Sequence, residues 1–497
     1  MLKTSKRMSE RIGQSLSFRL LLLVIHTLFI AQLSAQDYFQ EIVDPLPDNI
    51  GDFGQNISFY EDQLIVGSPN KAYFTERRIG YVHVYQKKEG KYELLQTIIP
   101  PVQQVGQGFG HSVKIAYGIM AVSAPTLFNT VGTGTYTRGN VFLYRKNTDA
   151  LWSNFQVVGP EILQCCQTFG FSMELKDSIL FVGDPYSFYY NNGQRPSRGM
   201  VHVYKQQRDT FLRIQGITDP DSSIFAFSEF ISYDNRFLTI RQNDSILDYK
   251  VHPSGICEFQ SKVKIDRCIR PFTHRTHDGN LYIPLHCTIG NDQSGIELEN
   301  GQGVVRYKKN SQGEWEWFQN IQDPKAFYGG KFAADLAVND SILAVVRPYR
   351  NDSVGNVYQY KKNRETDYWE LHRDYQYPGW TDSLIRDVAI SVSEDGDIAL
   401  SKFERNVDDR SARTRIFIFR TKKEITTKSC TGFYPNPTSR NVVLPYPEKA
   451  SSVCDIRGKI LLNYDSRDDA LLDLSHLAPD IYIVRNGECT EKIILLD

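Results

Sequence analysis

The feature that most constrains this chain is an internal repeat of nearly sixty residues. Phe53-Gly54, Phe109-Gly110 and Phe169-Gly170 each open a unit. Sixteen residues after each Phe stands a Pro, in Ser68-Pro69, Ala124-Pro125 and Asp184-Pro185. A Gly then begins a strand pattern that ends five residues later in Tyr: Gly80/Tyr85, Gly139/Tyr144, Gly199/Tyr204 and Gly355/Tyr360. The unit closes on a Gln-bearing strand and a Pro, as in Leu95-Gln-Thr-Ile-Ile-Pro100, Phe155-Gln-Val-Val-Gly-Pro160, Ile214-Gln-Gly-Ile-Thr-Asp-Pro220 and Phe318-Gln-Asn-Ile-Gln-Asp-Pro324. Four short strands of this kind cannot bury an apolar face alone, and stacking them radially is the propeller solution. The 28 Tyr and 28 Phe against 5 Met agree, because aromatic side chains suit a pleated surface.

Unit starts near Phe53, Phe109, Phe169, Phe227, Phe272, Phe332 and Ile385 predict an all-β, seven-bladed β-propeller over 36–424. Six and eight are the neighbouring counts. The segment Tyr38-Phe-Gln-Glu-Ile-Val-Asp-Pro45 matches the closing strand of a unit, whereas the last unit offers only three strand candidates. Residues 38–45 are therefore expected to complete the final blade as its outer strand, which removes the last unpaired edge.

Phe-Gly openings, x-Pro second strands and Gly-x-Val-x-Val-Tyr third strands resemble the FG-GAP repeats of integrin-α-type propellers. Many members of that family hold Ca²⁺ in an Asp-x-Asp-x-Asp-Gly loop between the first two strands. Here those connections are short, at Tyr60-Glu-Asp-Gln63, Ala116-Tyr-Gly118 and Leu175-Lys-Asp-Ser178. Ca²⁺ takes six to eight oxygen ligands, so the family's metal role is not expected here, nor is any other metal or cofactor.

The two ends of the chain carry different patterns. Basic residues Lys3 to Arg19, the apolar run Leu20–Ile30 and small residues before Ala35 read as a signal peptide over 1–35, cut between Ala35 and Gln36. The apolar run is too short for a membrane span, which needs roughly 20 residues. After a polar linker at 425–432, short alternating runs over 433–497 predict a small β-sandwich. Its motifs fall in the order Tyr434-Pro435-Asn436-Pro437, Asp455 with Gly458, Asp-Leu474-Ser-x-Leu and Ile-Tyr482-x-Val. That order resembles the C-terminal sorting domain of the type IX (Por) secretion system, with Asp480 where the family usually has Gly. The resemblance implies passage through the periplasm, recognition by the type IX machinery, and a secreted or outer-surface protein.

Charge narrows the partners. With 57 basic and 58 acidic residues, no basic stripe predicts nucleic acid. Eight cysteines lie beyond residue 35 and fit an oxidising compartment, without a paired metal spacing. No nucleophile elbow, HExxH helix or phosphate loop is present, so the chain is read as not an enzyme. His274, His277, His286 and Cys287 form the richest polar cluster, but strand alternation sends neighbours to opposite faces. Ser393-Glu-Asp-Gly-Asp397 reads as a turn. Asp-Ser-Ile and Asp-Ser-Val/Leu triplets at 177, 244, 340, 352 and 382 look like an O-glycosylation sequon or, more simply, like hairpin turns. The candidate binding residues are those of long aromatic connections after the second strands: Tyr73, Phe74, Phe128, Tyr136, Tyr186, Tyr189, Tyr190 and Arg195. Tyr and Arg give rigid contact area and directed hydrogen bonds in recognition loops. The expected function is a surface binding module for an extracellular protein or glycan, with a purely structural surface role or a glycan-active enzyme as alternatives.

Overall fold

The computed structural model describes residues 39–46, 53–69, 80–101, 108–125, 139–160, 168–189, 197–220, 227–242, 245–264, 274–286, 302–324, 332–348, 354–378, 386–405, 412–420, 441–443, 451–454, 460–464, 471–479, 481–486 and 489–495. They contain strands and no helix. Residues 1–420 and 421–497 form two units, each described on its own.

The first unit is a seven-bladed β-propeller. Its four-stranded antiparallel sheets open on the innermost strands Asn56–Tyr60, Val113–Ala116, Ser172–Lys176, Ile231–Asp234, Arg275–His277, Leu336–Val338 and Arg386–Val392. Each innermost strand packs on the next around a closed ring. The outer strand of blade 7 is Gln40–Val43, which pairs with Ala412–Arg420 through Gln40↔Ile418 and Val43↔Arg415. Closure by the N-terminal strand, expected from the sequence, is present.

The repeat motif has a packing reason. The opening Phe53, Phe109, Phe169, Phe227 and Phe332 are buried, and Phe109 and Phe169 lie 5.4 and 5.1 Å from the rings of Phe142 and His202 on their third strands. The following Gly110 has φ +92°, and a Cβ there would stand 2.6 Å from the Tyr81 carbonyl oxygen of the preceding blade. The third-strand Gly80 is the complementary seat: a Cβ on it would lie 2.0 Å from the Phe109 carbonyl oxygen. Phe-Gly of one blade and Gly of the blade before it are thus one contact between blades. Blades 4 and 6 put Ser228 (φ 74°) and Ala333 (φ 62°) where the others have Gly. A side chain in the left-handed region costs roughly 1 kcal/mol or more.

The Gln of each closing strand has an equally specific use. Gln96 donates from Nε2 to the Trp152 carbonyl (3.0 Å) and accepts from the Trp152 N–H (2.9 Å), clamping the next blade's outer strand at its first residue. Gln156 does the same to Phe211 (2.8 and 2.8 Å), and Gln215 to Cys257 (3.0 and 2.7 Å). Gln319 clamps Trp369 (2.9 and 3.0 Å), and Gln40 clamps Tyr92 across the ring closure (2.8 and 2.9 Å). Several clamped residues also send a side-chain donor back. Trp152 Nε1 donates to Gln63 (3.0 Å), Trp369 Nε1 to the Tyr282 hydroxyl (3.0 Å) and Tyr92 to Asp397 (3.0 Å).

From blade 4 to blade 5 the clamp is replaced. Ser261 pairs with Asp248 in the register that Gln96 has with Val84. The junction is held instead by Lys309 Nζ on the fully buried Asp248 carboxylate, at 2.5 Å.

The second unit contains a four-stranded sheet and a two-stranded sheet, Asn441–Val443 with Leu471–Asp473. They share a core of Val453, Leu472, Leu474, Tyr482, Val484, Ile493 and Leu495.

Candidate functional site

The innermost strands define the axis, and their side chains alternate. Ile57, Val113, Met173, Ile231, Leu336 and Ile390 enter the cores. The residues between them make polar contacts from one blade to the next. Asn56 accepts the Val113 N–H (3.0 Å), Ser232 accepts the Thr276 N–H (2.9 Å), and Ser391 accepts the Phe59 N–H (3.3 Å).

Ionised groups do this work on blades 2 to 6. Lys114 Nζ meets Glu174 at 2.9 Å, Lys176 meets Asp234, and Arg275 meets Asp335 at 3.4 Å. Asp335 also accepts the N–H groups of Leu336 (2.9 Å) and Ile390 (3.3 Å). Burial raises its carboxyl above the usual range, opposed first by the charge of Arg275 and, last and least, by that of Lys114 in blade 2. Among the described residues, Glu174 and Asp335 are carboxylates of this ring, each beside a cation.

Two faces flank this ring. One carries the tight hairpins between first and second strands, and its turns are described. Glu61, Tyr117, Asp177, Asn235 and Asp278 each take a left-handed φ of 47–53° there. Tyr117 is 71% exposed, and its hydroxyl lies 3.5 Å from Asp177 Oδ1. Asp177 Oδ2 accepts from Tyr233 (3.0 Å). Among the described residues no group of three or more His, Cys, Asp or Glu is placed to hold a metal.

The other face carries the connections after the second strands, where the candidate binding residues fall. Tyr73, Phe74, Phe128, Tyr136, Tyr190 and Arg195 lie outside the described residues, as do Ala35, Gln36, Tyr434, Pro435, Asn436, Pro437, Asp455 and Gly458. Tyr186 and Tyr189 belong to the second strand of blade 3, Ile179–Tyr189. That strand and its partner Ser197–Gln207 are eleven residues each, against six for Gln63–Ser68 in blade 1. Their pairing runs on past a bulge to Phe188↔Arg198 and Tyr189↔Ser197. Blade 3 thus extends as a two-stranded arm. In the second unit Leu474 and Tyr482 are core residues, with the Tyr482 hydroxyl donating to the Ala478 carbonyl (2.7 Å).

Of the histidine cluster, two members have described side chains, and they take different partners. His274 is buried and bonds Thr239 Oγ1 through Nε2 (3.0 Å), whereas His277 pairs with Asp340 of blade 6 (2.9 Å). Cys287 lies outside the described residues. The Ser393–Asp397 segment is a turn, with Gly396 at φ 89° and the Ser393 N–H on the Asp397 carbonyl (2.9 Å). Its Asp397 carboxylate is taken up by Lys87 (2.9 Å) and Arg420 (3.3 Å). Of the Asp-Ser triplets, Ser245 is 1% exposed, which leaves no room for a glycan, while Ser341 is exposed. Cys257 and Cys454 are buried free thiols, and burial pushes the Cys257 thiol up to about 12.

Sequence reasoning passed over Tyr117, Glu174 and Asp335. Tyr117 was visible as an aromatic residue in a two-residue turn. Nothing local marks Glu174 or Asp335, because only ring closure brings blades 2, 3, 5 and 6 around one axis.

No protein-family model matches the chain, and no curated protein matches it. Among solved structures it is similar to the periplasmic gluconolactonase PpgL of Pseudomonas aeruginosa, at 15% identity over 70% of this chain and 93% of that one, with a TM-score of 0.44. A proposed 6-phosphogluconolactonase from Bacteroides uniformis is 13% identical over 71% and 95% of the two chains, with a TM-score of 0.42. Hsv2 of Kluyvelomyces marxianus is 11% identical over 72% and 93%, with a TM-score of 0.40. Identities and scores of this size speak to the fold alone. One expectation is nonetheless corrected: reading the chain as not an enzyme does not stand, because structures named as lactonases are among those it is similar to. The missing sequence motifs excluded only chemistries with a local signature, and axial groups gathered from separate blades have none.

Proposed function

We propose that the propeller is a surface-exposed recognition module that binds an extracellular protein or glycan on the face of the blade 3 arm. The observation that carries this reading is the arm itself, whose paired strands take Tyr186 and Tyr189 past the point where the second strands of blades 1 and 2 end. Tyrosine supplies large contact area at low conformational-entropy cost in recognition elements. A glycan and protein binding screen of the full chain tests it. Replacing Tyr186 and Tyr189 together by Ser should abolish a hit; an unchanged hit removes the arm from the site.

Export belongs to the same proposal. Residues 1–35 supply a signal peptide, 36–424 an FG-GAP-like propeller, and 433–497 a type IX sorting domain. In a host with that machinery, deletion of 433–497 should hold the chain in the periplasm. Appearance of the truncated chain on the cell surface would refute the route.

A catalytic reading stands beside binding because Glu174 and Asp335 share the axial ring. Paired carboxylates are the groups used in glycoside hydrolysis. Turnover of lactone or glycoside substrates that is lost in both Glu174→Gln and Asp335→Asn would support it.

A further inference from the structure

The hairpin face holds a residue that the fold does not explain. In the two-residue turns between first and second strands, the first position has a left-handed φ, and Asp177, Asn235 and Asp278 fill it in blades 3, 4 and 5. These residue types tolerate that conformation, as hairpin turns require. Blade 1 has Glu61 there at φ 50°, held by its pair with Lys146, and blade 2 has Tyr117, at φ 51°. A bulky side chain there is a backbone outlier, and an outlier of this kind is a reason to look for a function. The ring repays nothing to the core, since it is 71% exposed.

Its surroundings have a definite chemistry. The hydroxyl leans to Asp177 of blade 3, whose other oxygen accepts from Tyr233 of blade 4. A carboxylate has about four acceptor sites, so Asp177 retains capacity for further donors. The nearby charges are matched: Lys146 with Glu61 at 2.6 Å, and Lys176 with Asp234. A flat exposed aromatic face beside a carboxylate acceptor, in a charge-balanced setting, suits an uncharged polyhydroxylic ligand. An anionic ligand would meet Asp177, and a cationic one would find its counter-charges largely paired.

We propose that Tyr117 and Asp177 form a binding site for a neutral carbohydrate, with the Tyr117 ring under a pyranose face and Asp177 accepting its hydroxyls. The site stands on the opposite face from the blade 3 arm and does not depend on it. Isothermal titration of the full chain with soluble neutral hexasaccharides of glucose, mannose and galactose tests the proposal. At least one should bind, and Tyr117→Asn should weaken it by about tenfold or more, as loss of an aromatic anchor does. The melting temperature of that variant should stay or rise, since Asn relieves the turn. Tyr117→Phe should keep most of the affinity, and Asp177→Asn should lose part of it. The Tyr186/Tyr189 double variant should bind the sugar as the wild type does. The proposal fails if none of the sugars binds at millimolar concentration, or if Tyr117→Asn binds unchanged. It also fails if oligolysine binds and the sugars do not, or if only the double variant loses the sugar, which would support the arm instead.

Discussion

Six of the seven seams between neighbouring blades are held in one of two ways, and these solve the same problem with opposite electrostatics. At the seams from blades 7, 1, 2, 3 and 5 to the next, a neutral Gln amide bonds both polar atoms of one backbone residue. From blade 4 to 5, an ion pair between Asp248 and Lys309 does the work. Burial raises the Asp248 carboxyl and lowers the Lys309 ammonium, in each case against the pull of its partner. Desolvation therefore outweighs attraction, as is common for buried pairs. The amide clamp incurs no such penalty, which accounts for its use at five seams.

The comparison can be broken in several ways, and all five tryptophans lie in the propeller, so fluorescence reports on it alone. Acid should have the largest effect, and it should strike amide-clamped blades through their histidines. Burial holds His83 down to about 4, and burial with Arg213 nearby holds His202 down to about 3. His274 is likewise lowered to about 3 by burial. A histidine with a lowered folded pKa protonates first in the unfolded chain, so stability is intact above pH 6.5 and falls below it. Between pH 7 and 5 each should cost about 2 kcal/mol, read by urea titration at the two pH values. Blade 2 has Phe142 in the same register as His83 and His202. The double variant His83→Phe, His202→Phe should retain only the His274 share of the acid loss; an undiminished loss would refute this account.

Lys309→Met should come next. It strands the Asp248 carboxylate in the core and should cost about 3–5 kcal/mol, whereas Asp248→Leu combined with Lys309→Met should recover most of that. If the double variant is no better than the single, the seam is not limited by desolvation. Gln96→Ala removes two hydrogen bonds from a clamp and should cost about 1–3 kcal/mol, with no change between pH 8 and 6. The smallest effect should come from the left-handed position. Ala333→Gly should gain up to about 1 kcal/mol. Ser228→Gly should gain less, because Ser228 Oγ accepts the Asp184 N–H (3.1 Å) and donates to the Met200 carbonyl (2.9 Å).

Much of the architecture was legible because the repeat records its own packing. Phe109-Gly110 and Gly80 recur at fixed spacing since each blade seats the next by the same contact. Gln40 betrayed the closing strand because it performs the same clamp as Gln96. Blade 4 departs from the repeat at the same two contacts: it has Ser228 for Gly and Ser261 for Gln. The candidate site was legible only in part. Tyr186 and Tyr189 stood out by composition, while Tyr117 looked like an ordinary turn residue until its φ and exposure were known.

The sequence by itself determined the unit and the strand that closes the ring, because those are set by local periodicity and by contacts repeated between equivalent residues, while the count of seven among its neighbours was fixed by the sheets themselves. The tertiary structure alone decided which charges meet at the axis and which turn residue stands free. Lys114, Glu174, Arg275 and Asp335 come from four different blades, and no local pattern encodes a meeting that only closure of the circle produces.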